Sequence, residues 1–168
     1  MLVDQGIVGA LIELGNVCEE SVTISRIAVA LCNLSSAGDE HRRKMLDGGV
    51  LASIVSLSSN YNNTIQQDAA RSLCNLSYIT GTETQLVEQG AIRTLMVIGL
   101  VWTDDVDTKI LCAKALVNIL ACDESRLNLL EDGVISGAIT LTIPSLILLP
   151  LPLSYILFPS LIASSRLL

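Results

Sequence analysis

At 168 residues with a formal charge of −7, the chain holds one domain's worth of sequence and lacks the clustered basic face that nucleic-acid phosphates require. It is 51% apolar but only 3% aromatic, so its core must rest on Leu, Ile, Val and Ala at helical spacing rather than on rings. Its cysteines (Cys18, Cys32, Cys74, Cys112 and Cys122) are odd in number and form no CxxC pair, which sets aside a disulfide framework and a metal site and fits thiols buried in helices in a reducing compartment.

In chain order, Asp4, Gln5 and Gly6 interrupt any opening apolar run, so no secretory signal is expected. A helix is predicted over Ile7–Leu14, and a second ends near Leu31-Cys-Asn-Leu-Ser35. The stretch around Asp39–Asp47 reads as a short charged helix, in which Arg42-Arg43-Lys44 lies beside Asp39, Glu40 and Asp47 and so forms a solvated face. His41, the only histidine, belongs to that surface. Gly49 then permits a tight turn into an apolar helix over Val50–Leu57. Thr64-Ile-Gln-Gln67 has capping-box spacing and opens a helix that ends at Leu73-Cys-Asn-Leu-Ser77. The same order follows once more: Gly90, an apolar helix over Ala91–Val101, carboxylates at Asp104-Asp-Val-Asp107 suited to a helix N-terminus, and Leu116-Val-Asn-Ile-Leu120.

This order is a repeat. Val3-Asp-Gln-Gly-Ile7, Leu46-Asp-Gly-Gly-Val50, Val87-Glu-Gln-Gly-Ala91 and Leu130-Glu-Asp-Gly-Val134 share one shape, with Gly6, Gly49, Gly90 and Gly133 spaced by 43, 41 and 43. Independently, Asn33, Asn75 and Asn118 are spaced by 42 and 43. Ala28, Ala70 and Ala113 lie five positions before each asparagine, and Leu31, Leu73 and Leu116 two before it. Small and large apolar residues in fixed alternation allow neighbouring helices to pack closely.

The L-V-D-Q-G-I-V and A-L-C-N-L-S strings resemble armadillo repeats of the importin-alpha and beta-catenin kind. The resemblance implies an all-α, right-handed superhelical solenoid of three-helix repeats, two full and two partial, over 1–140, with units of about 1–37, 38–80, 81–122 and 123–140. It implies a non-enzymatic scaffold that holds an extended protein or peptide segment in a concave groove, with no cofactor. By resemblance, the asparagines Asn33, Asn75 and Asn118 hydrogen-bond the ligand main chain; the alternative is that each bonds loop backbone within its own repeat. Importin-like arrays carry a tryptophan four positions before that asparagine, where this chain has Val29, Arg71 and Lys114, and its lone Trp102 falls at the end of a second helix. A receptor for basic nuclear signals is therefore not expected. Arg71 and Lys114 either favour carboxylates on the partner or are ordinary solvated helix residues. No phosphate loop, nucleophile elbow or metal spacing points to catalysis.

From Gly133 to Ser165 there is no charged residue, and all four prolines (Pro144, Pro150, Pro152 and Pro159) fall in this stretch. Residues 141–168 form an apolar, proline-rich tail whose length suits a bilayer but whose prolines disfavour one straight helix. Three readings stand: a membrane anchor through 141–165, a non-native extension, or an irregular cap on the last repeat. The alternative function is thus a tail-anchored membrane adaptor. Met1 falls inside the first helix of a unit, so a piece of a longer array accounts for both ends. The expected location is cytoplasmic or nuclear, or membrane-associated if the tail anchors.

Overall fold

The computed structural model describes residues 6–121. Every regular element among them is helical: α1 (Ile7–Val17), α2 (Ser21–Ser35), α3 (Asp39–Asp47), α4 (Val50–Ser58), α5 (Asn63–Leu76), α6 (Glu83–Glu88), α7 (Ala91–Val97), a π-helical turn (Ile98–Trp102) and α8 (Val106–Leu120). They form a two-helix unit, α1–α2, followed by two three-helix units, α3–α5 and α6–α8. The fourth glycine, Gly133, the unit at 123–140, Cys122 and the tail at 141–168 lie outside the described residues.

The glycine anchors act as their spacing predicts. Gly6, Gly49 and Gly90 have φ of 75°, 81° and 82°, the left-handed region that L side chains avoid. Each immediately precedes a second helix. The Gly49 amide donates to the Leu46 carbonyl and the Gly90 amide to the Val87 carbonyl, both at 3.0 Å, closing the short helices before them. The chain therefore turns between α3 and α4, and between α6 and α7, with the Leu46 and Val87 carbonyls satisfied.

Two details differ from the sequence expectation. The cap of α5 is Asn62, whose side chain accepts from the amides of Thr64 at 2.9 Å and Ile65 at 3.4 Å, so Thr64 is already inside the helix. An asparagine in extended backbone places its short carboxamide over the first turn more directly than the threonine two residues later. The second difference is in the third unit, where the α-helix stops at Val97 and the rest of the predicted span winds as the wider π turn. The asparagine follows the anchoring glycine by 28 positions in this unit, against 26 in the unit before it. Extra residues in a helix of fixed span are accommodated by widening a turn.

Packing follows the repeat. α2 lies against α5 and α5 against α8, forming one layer; α1, α4 and α7 stack as a second layer. Between them runs one continuous core in which Leu31, Leu51, Ile54, Leu73, Leu95, Leu116 and Ile119 are almost fully buried. Ala28, Ala70 and Ala113 are buried where adjacent helices meet. The short helices tie one unit to the next at the edge: Arg43 Nη2 donates to the Thr80 carbonyl at 3.2 Å, and Gln85 Nε2 to the Leu46 carbonyl at 3.4 Å. The basic cluster of α3 is accordingly paired rather than open, with Arg42 on Asp39 at 3.1 Å and Lys44 on Glu40 at 2.9 Å.

Candidate functional site

Stacking α2, α5 and α8 in register brings the three asparagines into one column. Asn33 is exposed, whereas Asn75 and Asn118 are half-buried. The cause is a hydrogen bond between repeats. Asn75 Nδ2 donates to Ser35 Oγ at 3.0 Å, and Ser35 Oγ donates in turn to the Cys32 carbonyl at 2.7 Å. One repeat on, Asn118 Nδ2 donates to Ser77 Oγ at 3.0 Å, and Ser77 Oγ donates to the Cys74 carbonyl at 2.8 Å. Each serine hydroxyl is thus fixed as a donor to its own helix, which leaves its lone pairs for the next asparagine. Neither Asn75 nor Asn118 turns to loop backbone in its own repeat, which corrects that alternative; the partner is a side chain of the preceding unit.

The serine two positions after the asparagine was visible in both Cys-Asn-Leu-Ser strings, but its role depends on helix stacking that one repeat read alone does not contain. The pattern also ends visibly. The third string carries Leu120 where Ser35 and Ser77 stand, so α8 offers no such acceptor to a following unit.

A carboxamide has two amide hydrogens and a carbonyl oxygen. The serine bond uses one hydrogen and restrains the side chain. At Asn75 the remaining donor and acceptor match the groups of an extended peptide unit, while at Asn118 the Tyr78 hydroxyl is a further hydrogen-bond neighbour. One helical turn earlier stand Arg71 and Lys114, the first exposed and the second half-buried. Arg71 Nη1 lies 3.6 Å from Asp68 Oδ1 on the same helix, a long contact for an ion pair. One turn after Asn75, the exposed Tyr78 lies beside Cys74 and Asn118, a neighbour outside the repeated motifs. Val29, at the first unit's equivalent of Arg71, is half-buried.

The thiols beneath this face are held neutral. Burial pushes the Cys32 thiol up, with the Asp68 carboxylate adding to the effect and Arg71 opposing it. Burial raises Cys74 in the same way against the opposing charge of Lys114. Cys112 is pushed up to about 12, first by burial and then by neighbouring Cys74. Thiols with this bias are packing groups rather than nucleophiles. Asp68 is also raised, by burial first, with Arg71 working against it; its Oδ2 and the Gln66 Oε1 are buried without hydrogen-bond partners.

Solved structures share this architecture. A crystallised engineered protein is 29% identical with a TM-score of 0.68, covering 81% of this chain and 56% of its own. A designed armadillo repeat protein in complex with the peptide (KR)4 is 21% identical with a TM-score of 0.70, covering 81% and 56%. A computationally designed armadillo repeat protein for modular peptide recognition is 22% identical with a TM-score of 0.70, covering 81% and 57%. The chain has an armadillo-like repeat fold. It spans just over half the length of these structures. No protein-family model matches the sequence, and no curated protein matches it.

Within the armadillo-like fold, α2, α5 and α8 are the successive third helices, and α1, α4 and α7 the second helices. Trp102 lies at the end of the π turn, half-buried against the core and 6.3 Å from the Tyr61 ring, away from the column of asparagines.

Proposed function

We propose that this chain is a non-enzymatic scaffold that holds an extended peptide segment of a partner along the face formed by α2, α5 and α8. The observation that carries this reading is the repetition of one arrangement at successive units: an asparagine locked by a serine of the preceding repeat, with a cation one turn before it. Pre-locking removes side-chain entropy that binding would otherwise have to overcome. A ladder of carboxamides binds main chain and so sets orientation more than side-chain preference. Arg71 and Lys114 add a preference for carboxylates on the partner, moderated at Arg71 by Asp68. The designed relatives described as binding or recognising peptides support the class of ligand.

The test is a pull-down followed by peptide mapping, then titration of the mapped peptide against variants. Asn33→Ala, Asn75→Ala and Asn118→Ala together should abolish binding. Asn33→Ala alone is the most informative single change, because no structural hydrogen bond of that side chain is lost with it. Reversing Arg71 and Lys114 to Glu should weaken an acidic peptide by about tenfold or more, as expected for lost charge complementarity. Full affinity in the triple variant sinks the groove assignment and moves attention to the opposite face.

We propose a cytoplasmic or nuclear location, which an odd number of cysteines without a CxxC pair supports. A second reading, a membrane adaptor, is favoured by the charge-free stretch from Gly133 to Ser165. No helix among the described residues is long and apolar enough to cross a membrane, so the reading depends on 141–165. Membrane fractionation of the full chain against residues 1–138 decides it: equal solubility of both ends the adaptor reading.

A further inference from the structure

The π turn of the third unit exposes what the equivalent turn of the second unit keeps polar. Counted from the anchoring glycines, Ser59-Asn60 in the second unit corresponds to Leu100-Val101 in the third, and Tyr61 corresponds to Trp102. The wide turn does not use this change for packing. Leu100 is 40% exposed and Val101 71%, while Val106 just beyond is 51% exposed. The two connections also touch. Tyr61, itself 91% exposed, lies with its ring centroid 6.3 Å from that of Trp102 at an interplanar angle of 59°, and Gln67 Nε2 reaches Asp105 Oδ2 at 3.5 Å. The ring contact thus brings exposed apolar and aromatic side chains of the two connections together, outside the helices that carry the asparagines.

Its border is acidic. Asp104, Asp105 and Asp107 are all exposed within four positions, against one ammonium, Lys109, which is 3.8 Å from Asp104. Asp105 has a structural duty as the cap of α8, accepting from the Thr108 amide at 2.8 Å and its hydroxyl at 2.6 Å. Those bonds favour the charged carboxylate and hold Asp105 below the usual carboxylate range. Asp107 has no such duty. Aromatic faces attract cations, and carboxylates around an apolar centre select for the same charge. A wide turn that places apolar side chains in solvent at a cost to solubility is explained by a partner that covers them.

We propose that Tyr61, Leu100, Val101, Trp102 and Val106, bordered by Asp104 and Asp107, form a second docking surface for a basic, amphipathic peptide segment of a partner protein. A lysine or arginine of that segment lies over the Tyr61–Trp102 pair, and its apolar residues cover Val101 and Val106. The charge requirement favours this occupant over the chain's own apolar stretch, because nothing between Gly133 and Ser165 carries a charge to meet the carboxylates and Arg166 alone follows it.

Trp102 is the only tryptophan, so its fluorescence reports on this surface alone. The full chain is titrated with a short acetylated peptide alternating lysine with leucine, and with the matching glutamate–leucine peptide. The lysine peptide should shift Trp102 emission saturably and with an affinity that falls as salt rises, while the glutamate peptide should not. Val101→Ser and Tyr61→Ala should each weaken binding by about tenfold, as truncation of a central contact does. Asp104→Asn with Asp107→Asn should weaken it and flatten the salt dependence. Circular dichroism unchanged from the parent confirms that these exposed substitutions leave the helices intact. Asn33→Ala should leave this titration unmoved, which keeps it separate from the groove reading. Equal response to both peptides, or undiminished affinity in the Val101→Ser and Tyr61→Ala variants, overturns the proposal. So does Trp102 emission that acrylamide cannot quench in the full chain, or sedimentation showing that Val101→Ser breaks a self-associated form, since either means that the surface is already covered.

Discussion

The first unit and the middle unit share a pattern of residues and differ in what surrounds them. Nine residues of α5 are buried, from Ile65 to Leu76, whereas α1, nearly as long, buries only Val8. Leu14, Val17 and Val22 of the first unit are 44%, 78% and 64% exposed although they are as apolar as the core residues of α5. The difference lies in the neighbours: α5 is held between α2 and α8, while α1 and α2 have described neighbours on one side only. In a repeat array a unit's own sequence sets its shape, and the interfaces with its neighbours supply much of its stability.

The largest expected consequence concerns the core. Leu73 is fully buried between the layers, so Leu73→Ala should cost about 2–5 kcal/mol, the range for a large aliphatic side chain removed from a packed core. Leu14→Ala should stay within about 0.5 kcal/mol, as for an exposed position. Urea denaturation of both variants checks this. Equal losses would mean that the first unit has a covering partner in solution and would erase the contrast.

Next in size is the pair of glycine turns. Gly90 and Gly6 both adopt positive φ, and a Cβ at either meets open space, so alanine carries only the backbone penalty of the left-handed region, about 1–2 kcal/mol. Gly90→Ala should show that loss in full, because α6 and α7 sit in the body of the stack. Gly6→Ala should show less, because fraying of α1 releases the strain. Hydrogen exchange of the amides at the start of α1 and α7 separates local release from global destabilisation.

Much of this architecture was legible beforehand because it repeats. Two independent periodicities, of glycine and of asparagine, located the turns and the third helices, and the alanine and leucine positions relative to each asparagine located the interhelical contacts. The features that escaped depend on relations between units or on competition within one turn. The role of Ser35 becomes visible only when α2 and α5 are placed side by side, since its partner Asn75 is 40 positions away. Asn62 displaced Thr64 as a cap because either residue can cap and only backbone geometry chooses between them. The π turn arises from a difference of two positions between units that spacing revealed but whose location spacing could not assign. For the candidate site, the column of asparagines followed from the repeat, while its locking by serine and the neighbourhood of Tyr78 did not.

The inter-repeat ladder gives a smaller and more specific contrast. Asn75→Ala removes a half-buried hydrogen bond to Ser35 and should cost about 1 kcal/mol, the usual net value. Asn33→Ala should cost close to nothing, because Asn33 is exposed and makes no such bond. A double-mutant cycle of Asn75→Ala with Ser35→Ala should recover a coupling of about 0.5–1 kcal/mol, since the two side chains are in direct contact. Additivity within error would show that the 3.0 Å contact contributes nothing in solution.

The last contrast concerns a single position, seven before the asparagine, where the first unit carries exposed Arg26 and the middle unit carries Asp68, only 7% exposed. Burial raises the Asp68 carboxyl, Arg71 only partly offsets this, and Oδ2 lacks a hydrogen-bond partner. A group whose folded pKa is raised contributes its stabilising share below the unfolded value, 3.8, and loses it as pH rises through the folded value. At neutral pH Asp68 is therefore a cost. Asp68→Asn, which keeps the shape and removes the charge, should raise stability at pH 7 by a fraction of a kcal/mol, limited by the lost attraction to Arg71. Its advantage should shrink as pH is lowered toward 3.8, where the wild-type carboxyl takes up its proton. Charge removal at exposed Arg26, as Arg26→Gln, should give no pH-dependent difference of this kind. Thermal melts of the two variants against the parent across pH 4–8 measure both, and a destabilised Asp68→Asn at neutral pH would show that the Arg71 contact, despite its 3.6 Å length, outweighs the cost of burial.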